Sequence, residues 1–436
     1  MGGVLLLLAG PLFLATFFVL MLLRCEPFAS FFYPCAWYGL IFTFDQLIRR
    51  REGRSLIVRC GPGLLLVLVW SAVTWYFFEL LNLRLQNWYY VFVIDHPVVR
   101  PISSFVSFAT VFPGILWIEH YLGTRRVAWH VPGRPVRLSP RGLCWLQGAG
   151  LACLLLPLAW PVSFYPLVWL TLVLVLAPVE YRRTRESLLG QLGRGEYGPL
   201  LRLLLAGLIA GVFWESLNYW ARAKWIYTVP FFDGLKVFEM PVAGFLGFPP
   251  FAVECAVVYR FLVWQGLAPR FGQFTERRAS VAPVAVRVTA VLAGLALAAA
   301  VDRLGVERVT IASVTPRVDQ VKPLDARDRA ELRRAGVRYL TDLEGWQGAP
   351  AWRLLEESLP ADRTARLRRL ARLYLHQGIG VRYGNLLVEA GIDSLAELAG
   401  VGAESALERL QFAAGDERVP TLPQVKVWVR RVPEGG

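Results

Sequence analysis

The 436 residues are 55% hydrophobic and 13% aromatic, with a mean hydropathy of +0.44; that is more apolar surface than a soluble core can hide, and it places the chain among multi-pass membrane proteins. A formal charge of +14 would point to nucleic acid in a soluble protein, but arginine-rich loops on the cytoplasmic side of a bilayer account for it. Six cysteines without a C-x-x-C pair, and four histidines that do not cluster with them, exclude zinc and redox motifs and a disulfide framework, so no metal or cofactor is expected.

Nine apolar stretches predict spans, at 3–23, 28–48, 62–82, 98–122, 141–160, 162–180, 200–221, 240–264 and 284–302, each near the ~20 helical residues that cross a bilayer. Residues 3–23 lack a basic n-region and a small-x-small cleavage site, so they read as the first span rather than a signal peptide. Basic residues gather after the second, fourth, sixth and eighth stretches: Arg49, Arg50 and Arg51; Arg125 and Arg126 with Arg134 and Arg137; Arg182, Arg183 and Arg185; Arg270 with Arg277 and Arg278. The positive-inside rule then sets the amino terminus in the cytoplasm of a bacterial inner membrane and the carboxy-terminal part outside. The weak point is 284–302, which holds Arg287 and Asp302. If it does not cross, the carboxy-terminal part is cytoplasmic and nucleic acid returns as a partner.

The third and seventh stretches carry the same sentence. Trp75, Glu79 and Asn82, followed by Trp88 to Tyr90, answer Trp214, Glu215 and Asn218, followed by Trp225 to Tyr227. Helical spacing lines up Ser71, Trp75, Glu79, Asn82 and Gln86 on one face, and Gly207, Gly211, Glu215, Asn218 and Arg222 on the other copy. The flanks repeat as well: Pro34 with Pro166, Pro101 with Pro241, Phe112-Pro113 with Phe248-Pro249, and Glu119 close to the counterpart of Glu254. This predicts an all-α, polytopic bundle of two parallel four-span repeats, 1–123 and 141–265, and a ninth span at 284–304. The segments Trp88 to Pro97 and Trp225 to Pro241 are expected as interfacial aromatic loops or re-entrant backbone.

Carboxylates inside a span cost about 2.5 to 3.5 kcal/mol on insertion scales, so each needs a partner or a role. Glu79, Glu215, Glu239 and Glu254 are the candidate catalytic residues, and Asn82, Asn218, Trp75, Trp214, Trp225 and Arg222 the candidate substrate contacts. The competing expectation is that Glu79 and Glu215 bond to Asn, to Trp indoles and to Arg222 or Arg84 merely to hold two halves together.

After Val306 charged residues and helix formers take over, which marks a second domain at 318–412 and a tail at 413–436. It too is doubled, Leu332 to Leu343 matching Leu387 to Leu398, each copy reading as a helix ended by a left-handed glycine, a turn and a capped second helix. Val425 to Val429 alternates and is expected as a short strand or an extended tail.

At Gly378-Ile379-Gly380, with Ala390-Gly391-Ile392 and Leu395, this domain resembles tandem helix-hairpin-helix modules described as domains of unknown function in bacterial proteins. The resemblance implies that Gly378 and Gly380 form a turn presenting backbone amides to phosphate or to a protein partner; the first copy lacks the motif. The membrane part resembles uncharacterised bacterial multi-pass proteins with doubled W-E-x-x-N and F-x-E-x-P…P-F-A-x-E patterns. It is also similar, in its repeated proline-bearing helices and intramembrane glutamates, to membrane carotenoid-pathway enzymes, though their adjacent Glu-Glu pair is missing. Three functions stay open: chemistry on a lipid-soluble, isoprenoid-like substrate at an acidic site between the repeats; proton-coupled transport; and a scaffold or sensor presenting the helix-hairpin-helix domain.

Overall fold

The computed structural model describes residues 2–94, 96–184, 186–229, 235–272, 282–307, 309–311, 316–415 and 417–433. The basic positions Arg185, Arg277 and Arg278 lie outside the described residues. The chain is mostly helical and divides into two compact units, 1–85 with 101–221 and 231–308, and 86–100 with 222–230 and 309–436.

In the first unit the helices of the amino-terminal half are α1 (Gly2–Leu22), α2 (Phe32–Glu52), α3 (Leu56–Cys60), α4 (Leu64–Leu85), α5 (Val99–Phe108) and α6 (Val111–Thr124). Those of the following half are α7 (Pro140–Ala159), α8 (Pro161–Phe164), α9 (Thr171–Arg183), α10 (Leu188–Gly193), α11 (Gly198–Trp220) and α12 (Phe248–Trp264), with α13 (Val284–Val301) last. Among the described residues eight helical stretches are long and apolar enough to cross a membrane, not nine. The missing one is α2, which has the length, 21 residues, but carries Asp45, Gln46, Arg49, Arg50, Arg51 and Glu52.

Packing partners correspond between the halves: α1 lies on α2 as α7 lies on α9, α2 on α6 as α9 on α12, and α4 on α6 as α11 on α12. The chemistry of the joints corresponds too. Gly10 meets Gly39 and Thr43, and Gly150 meets Leu174 and Val175, so each first pair of helices closes through a glycine. Short helices α3 and α10 are each started by a serine, Ser55 accepting from the Val58 amide and Ser187 from the Gly190 amide. The fourth member of each half is broken. In the first, α5 stops at Phe108 and α6 begins at Val111; in the second, a 3-10 turn Val242–Gly247 precedes α12. Ser71 of α4 donates to the Phe108 carbonyl at 2.8 Å and accepts from the Phe112 amide at 2.9 Å, stitching the first break. Gly207 of α11 sits against the Phe248 carbonyl at the second, where a side chain would not fit.

Helix α13 runs parallel to α4. Gly294 faces Trp70 and Val73, Tyr76 donates to Asp302 at 3.3 Å, and Gly305 faces Leu83, in register along both helices.

The second unit is built on a small sheet and seven helices. Strand β1 (Trp88–Val91) pairs antiparallel with β2 (Lys224–Tyr227) and parallel with β5 (Thr310–Ile311), in the order β2-β1-β5. The segments expected as interfacial loops are therefore, in part, strands of a sheet. Trp and Tyr are enriched both in membrane-interface belts and in strands, and their composition alone does not separate the two. A short hairpin of β3 (Lys236–Val237) and β4 (Met240–Pro241) belongs to the first unit. Helices α14 (Ala326–Arg334), α15 (Gly345–Ser358), α16 (Ala361–Leu375), α17 (Gly380–Glu389), α18 (Leu395–Val401), α19 (Ala403–Ala414) and α20 (Leu422–Arg430) complete the second unit.

Helix α20 corrects the expected strand at Val425 to Val429. Thr421 accepts from the Gln424 amide while Gln424 reaches back to Thr421, a capping box with proline in the first turn. Gln424, Val425, Val427 and Trp428 are buried at helical spacing, so Leu422–Arg430 packs as a helix. The two segments matched in sequence have similar turns: Gly336 and Gly391 have φ of 78° and 77°. Asp342 accepts from the amides of Arg338 and Tyr339 at 2.9 Å, and Glu397 from that of Asp393 at 2.7 Å.

Candidate functional site

The doubled motif faces do meet. The rings of Trp75 on α4 and Trp214 on α11 lie 5.4 Å apart, and Phe251 of α12 touches both, at 5.8 and 6.1 Å. Phe78, Trp169 and Trp37 extend this cluster. Contacts of this kind add about 0.5–1.5 kcal/mol each beyond area burial. Around it, Glu79, Asn82, Glu215 and Asn218 are at most 1% exposed. The Trp75 indole donates to Glu79 at 2.9 Å, and Glu215 is within electrostatic reach of Tyr33 on α2. Arg84, weighed as a partner for these carboxylates, donates to the Ala159 carbonyl at the end of α7.

Other acidic groups have separate engagements. Glu119 on α6 forms a buried ion pair with Arg202 on α11, Nε to Oε1 at 3.0 Å, which ties one half to the other. Removing one partner of such a pair costs about 3–5 kcal/mol, because the other is left buried and uncompensated. Asp45 accepts from the Trp117 indole and the Ile57 amide, both at 3.0 Å, and so holds the start of α3. Glu254 lies in mid-helix on α12, 1% exposed, and accepts from the Leu172 amide at 2.6 Å. Leu172 is in the first turn of α9, so Glu254 satisfies a backbone donor that no helical carbonyl can reach, within a stretch long and apolar enough to cross a membrane. Neither its second oxygen nor the hydroxyl of Thr171, the residue before Leu172, has a hydrogen-bond partner within 3.5 Å among the described residues.

Glu239 sits half-buried in the turn between β3 and β4, and Glu254 in the middle of α12. Arg222 and Trp225 belong to the second unit, Trp225 on β2 opposite Tyr90. Sequence reasoning missed Arg202 and Thr171. A lone arginine inside the seventh apolar stretch, and a threonine in the middle of the sixth, were the signals that could have found them.

The Gly378-Ile379-Gly380 turn has the expected left-handed glycines, φ 71° and 69°, but it is buried. A Cβ on Gly378 would overlap the Val91 side chain of β1, and the Tyr89 hydroxyl donates to the Gln377 carbonyl at 3.1 Å. The turn is thus the seat of β1, with Gly378 against Val91 and both Gly378 and Gly380 buried. Tyr89, Val91 and Ile226 are at most 1% exposed and form one core with Leu373, Ile379, Leu387 and Trp428. Nearby, His376 bonds the Trp428 carbonyl through Nε2 at 2.8 Å, and burial holds its imidazole below the ordinary value.

Residues 322–434 match a family model described as a domain of unknown function, DUF4332. No curated protein and no solved structure matches the chain.

Proposed function

We propose that the chain is a multi-pass membrane protein of two duplicated halves whose purpose is to hold its carboxy-terminal helical domain, of tandem helix-hairpin-helix type, as an interaction module outside the cytoplasm. The observation that carries this reading is the sheet β2-β1-β5. Its three strands follow α4, α11 and α13 in the sequence, and the first two supply Tyr89, Val91 and Ile226 to the core of the domain. A domain merely tethered by its amino terminus would need no such contribution. The 21-residue length of α2 and the parallel course of α4 and α13 support nine crossings, α2 included despite its polar end, and exposed Trp160, Tyr219 and Trp220 at one set of helix ends, with Trp129 and Trp145 at the other, suit the two aromatic belts of a bilayer. A domain so placed has no chromosome within reach, which favours a protein partner over nucleic acid. A reporter fused after Gly436 that is active only outside the cytoplasm tests this; a cytoplasmic signal would overturn it.

A second reading has its own support. Two buried carboxylates, Glu79 and Glu215, beside paired tryptophans in the membrane unit suit proton transfer to or from a lipid-soluble, isoprenoid-like substrate. Replacing each by glutamine and profiling cell lipids by mass spectrometry tests it; well-folded variants with an unchanged profile end the reading.

A further inference from the structure

The stretches Val99–Thr124 and Pro140–Ala159, each long and apolar enough to cross a membrane, are joined by residues 125–139. That link is fastened along its length to the end of α10 and the turn that follows it. The Tyr197 amide donates to the Val131 carbonyl at 3.1 Å and its hydroxyl to the Arg134 carbonyl at 3.0 Å. The amides of Gly133 and Val136 donate to the carbonyls of Gly195 and Leu192, at 2.9 and 3.0 Å. Nearer α6, the Ala128 carbonyl lies against Gly198, where a Cβ would overlap it. The backbone is tied to the protein while the basic side chains stay exposed: Arg125, Arg126, Arg134, Arg137 and, in the first turn of α7, Arg141. Trp129 is 54% exposed and Trp145, on α7, 79%. No acidic residue occurs in the sequence between Glu119 and Glu180. Glu196, which meets the link at a bridge to Pro132, is taken by Arg194 at 2.9 Å. The strap therefore carries a run of one charge, interleaved with tryptophan, at the ends of two apolar helices.

We infer that this strap is a docking surface for anionic phospholipid, its arginines taking the headgroup phosphates of the leaflet around it. A guanidinium offers a phosphate two parallel N–H donors. Clusters of about four to eight basic residues beside a membrane helix attract acidic lipid at about 1 kcal/mol per residue, and exposed tryptophans at helix ends lie at headgroup level. A soluble anion would meet the arginines but give Trp129 and Trp145 no partner. Because the backbone of the link is already held, less freedom is lost when its side chains engage. The inference rests on the membrane reading of the chain and not on where the carboxy-terminal domain lies.

The test uses the full chain purified in detergent, with phosphatidylglycerol or phosphatidylcholine added and binding read by native mass spectrometry and thermal melting. The wild type retains phosphatidylglycerol in preference to phosphatidylcholine, and phosphatidylglycerol raises the melting midpoint further. Arg134→Gln with Arg137→Gln weakens the phosphatidylglycerol binding about thirtyfold, at about 1 kcal/mol per arginine. Arg369→Gln with Arg372→Gln, the same loss of charge at exposed positions of α16, leaves it unchanged. The inference is overturned if the two lipids bind alike, or if the strap variant binds phosphatidylglycerol no more weakly than the α16 variant does. It is also overturned if inorganic phosphate raises the midpoint as far as phosphatidylglycerol, which would make the occupant a free anion. A chain that stays dispersed without detergent would instead sink the membrane reading, and the inference with it.

Discussion

Replacing Gly378 by alanine probes the seat of β1 directly. Two costs combine. The first is conformational: at φ 71° an L residue loses about 1–2 kcal/mol relative to glycine. The second is steric, since the added methyl would overlap Val91, and overpacking of this kind costs about 1–3 kcal/mol. Gly391 supplies the internal control, because at φ 77° it carries the same conformational cost with nothing within 4 Å of its Cβ. Gly391→Ala should therefore raise the open population of the domain about 5- to 30-fold, and Gly378→Ala about 30-fold to several thousandfold, at a factor of ten per 1.4 kcal/mol. The assay is the rate of proteolytic release of the carboxy-terminal domain from the full chain under conditions where cleavage reads the equilibrium population. Combining Gly378→Ala with Val91→Gly should relieve the steric part and leave the conformational part. If Gly378→Ala is released no faster than Gly391→Ala, β1 does not sit on this turn and the reasoning fails.

Glu119→Gln should lower stability by about 3–5 kcal/mol by stranding Arg202, and Glu119→Leu with Arg202→Leu should recover most of it; a double variant as unstable as the single one in a detergent melt would refute the pairing. Trp428→Ala should cost about 3–5 kcal/mol in the domain while the chain still inserts, seen as proteolytic loss of the domain with membrane fractionation unchanged. His376 is buried beside the Trp428 carbonyl and near Arg431, and its value is depressed, so the unfolded chain takes the proton first. Domain stability should be full above the ordinary histidine value, about 6.5, and fall as the pH drops through and below it toward the folded value. Release of the domain should thus quicken with acid in the wild type and less so in His376→Gln; equal slopes would count against the assignment.

Much of this molecule could be read from periodicity. Apolar length located eight stretches long and apolar enough to cross a membrane, and the doubled Glu-x-x-Asn placed Trp75 and Trp214 on faces that meet. What failed to show was pairing at a distance. Nothing local to Trp88–Val91 says that it joins Lys224–Tyr227 and Thr310–Ile311, since the pairing is decided by burial of Tyr89, Val91 and Ile226 in a core supplied by another part of the chain. At Val425 to Val429 a period of two misled, although Thr421-Leu-Pro-Gln424 already announced a helix start. The acidic residues were found, but their partners were not: an amide at the head of α9 and an arginine on α11 become neighbours only after the bundle has folded.

The sheet order β2-β1-β5 also imposes a schedule on synthesis. Strands β1 and β2 leave the ribosome long before β5 and the helices that cover their apolar side. At about 5–20 residues per second, the roughly 340 residues from β1 to Trp428 take about fifteen to seventy seconds, during which Tyr89 and Val91 are not fully covered. A nascent chain halted before the final helices would keep a bare strand edge, the kind that seeks a neighbour in another molecule. Truncation should therefore be felt first as aggregation of the membrane part, before any loss of a partner.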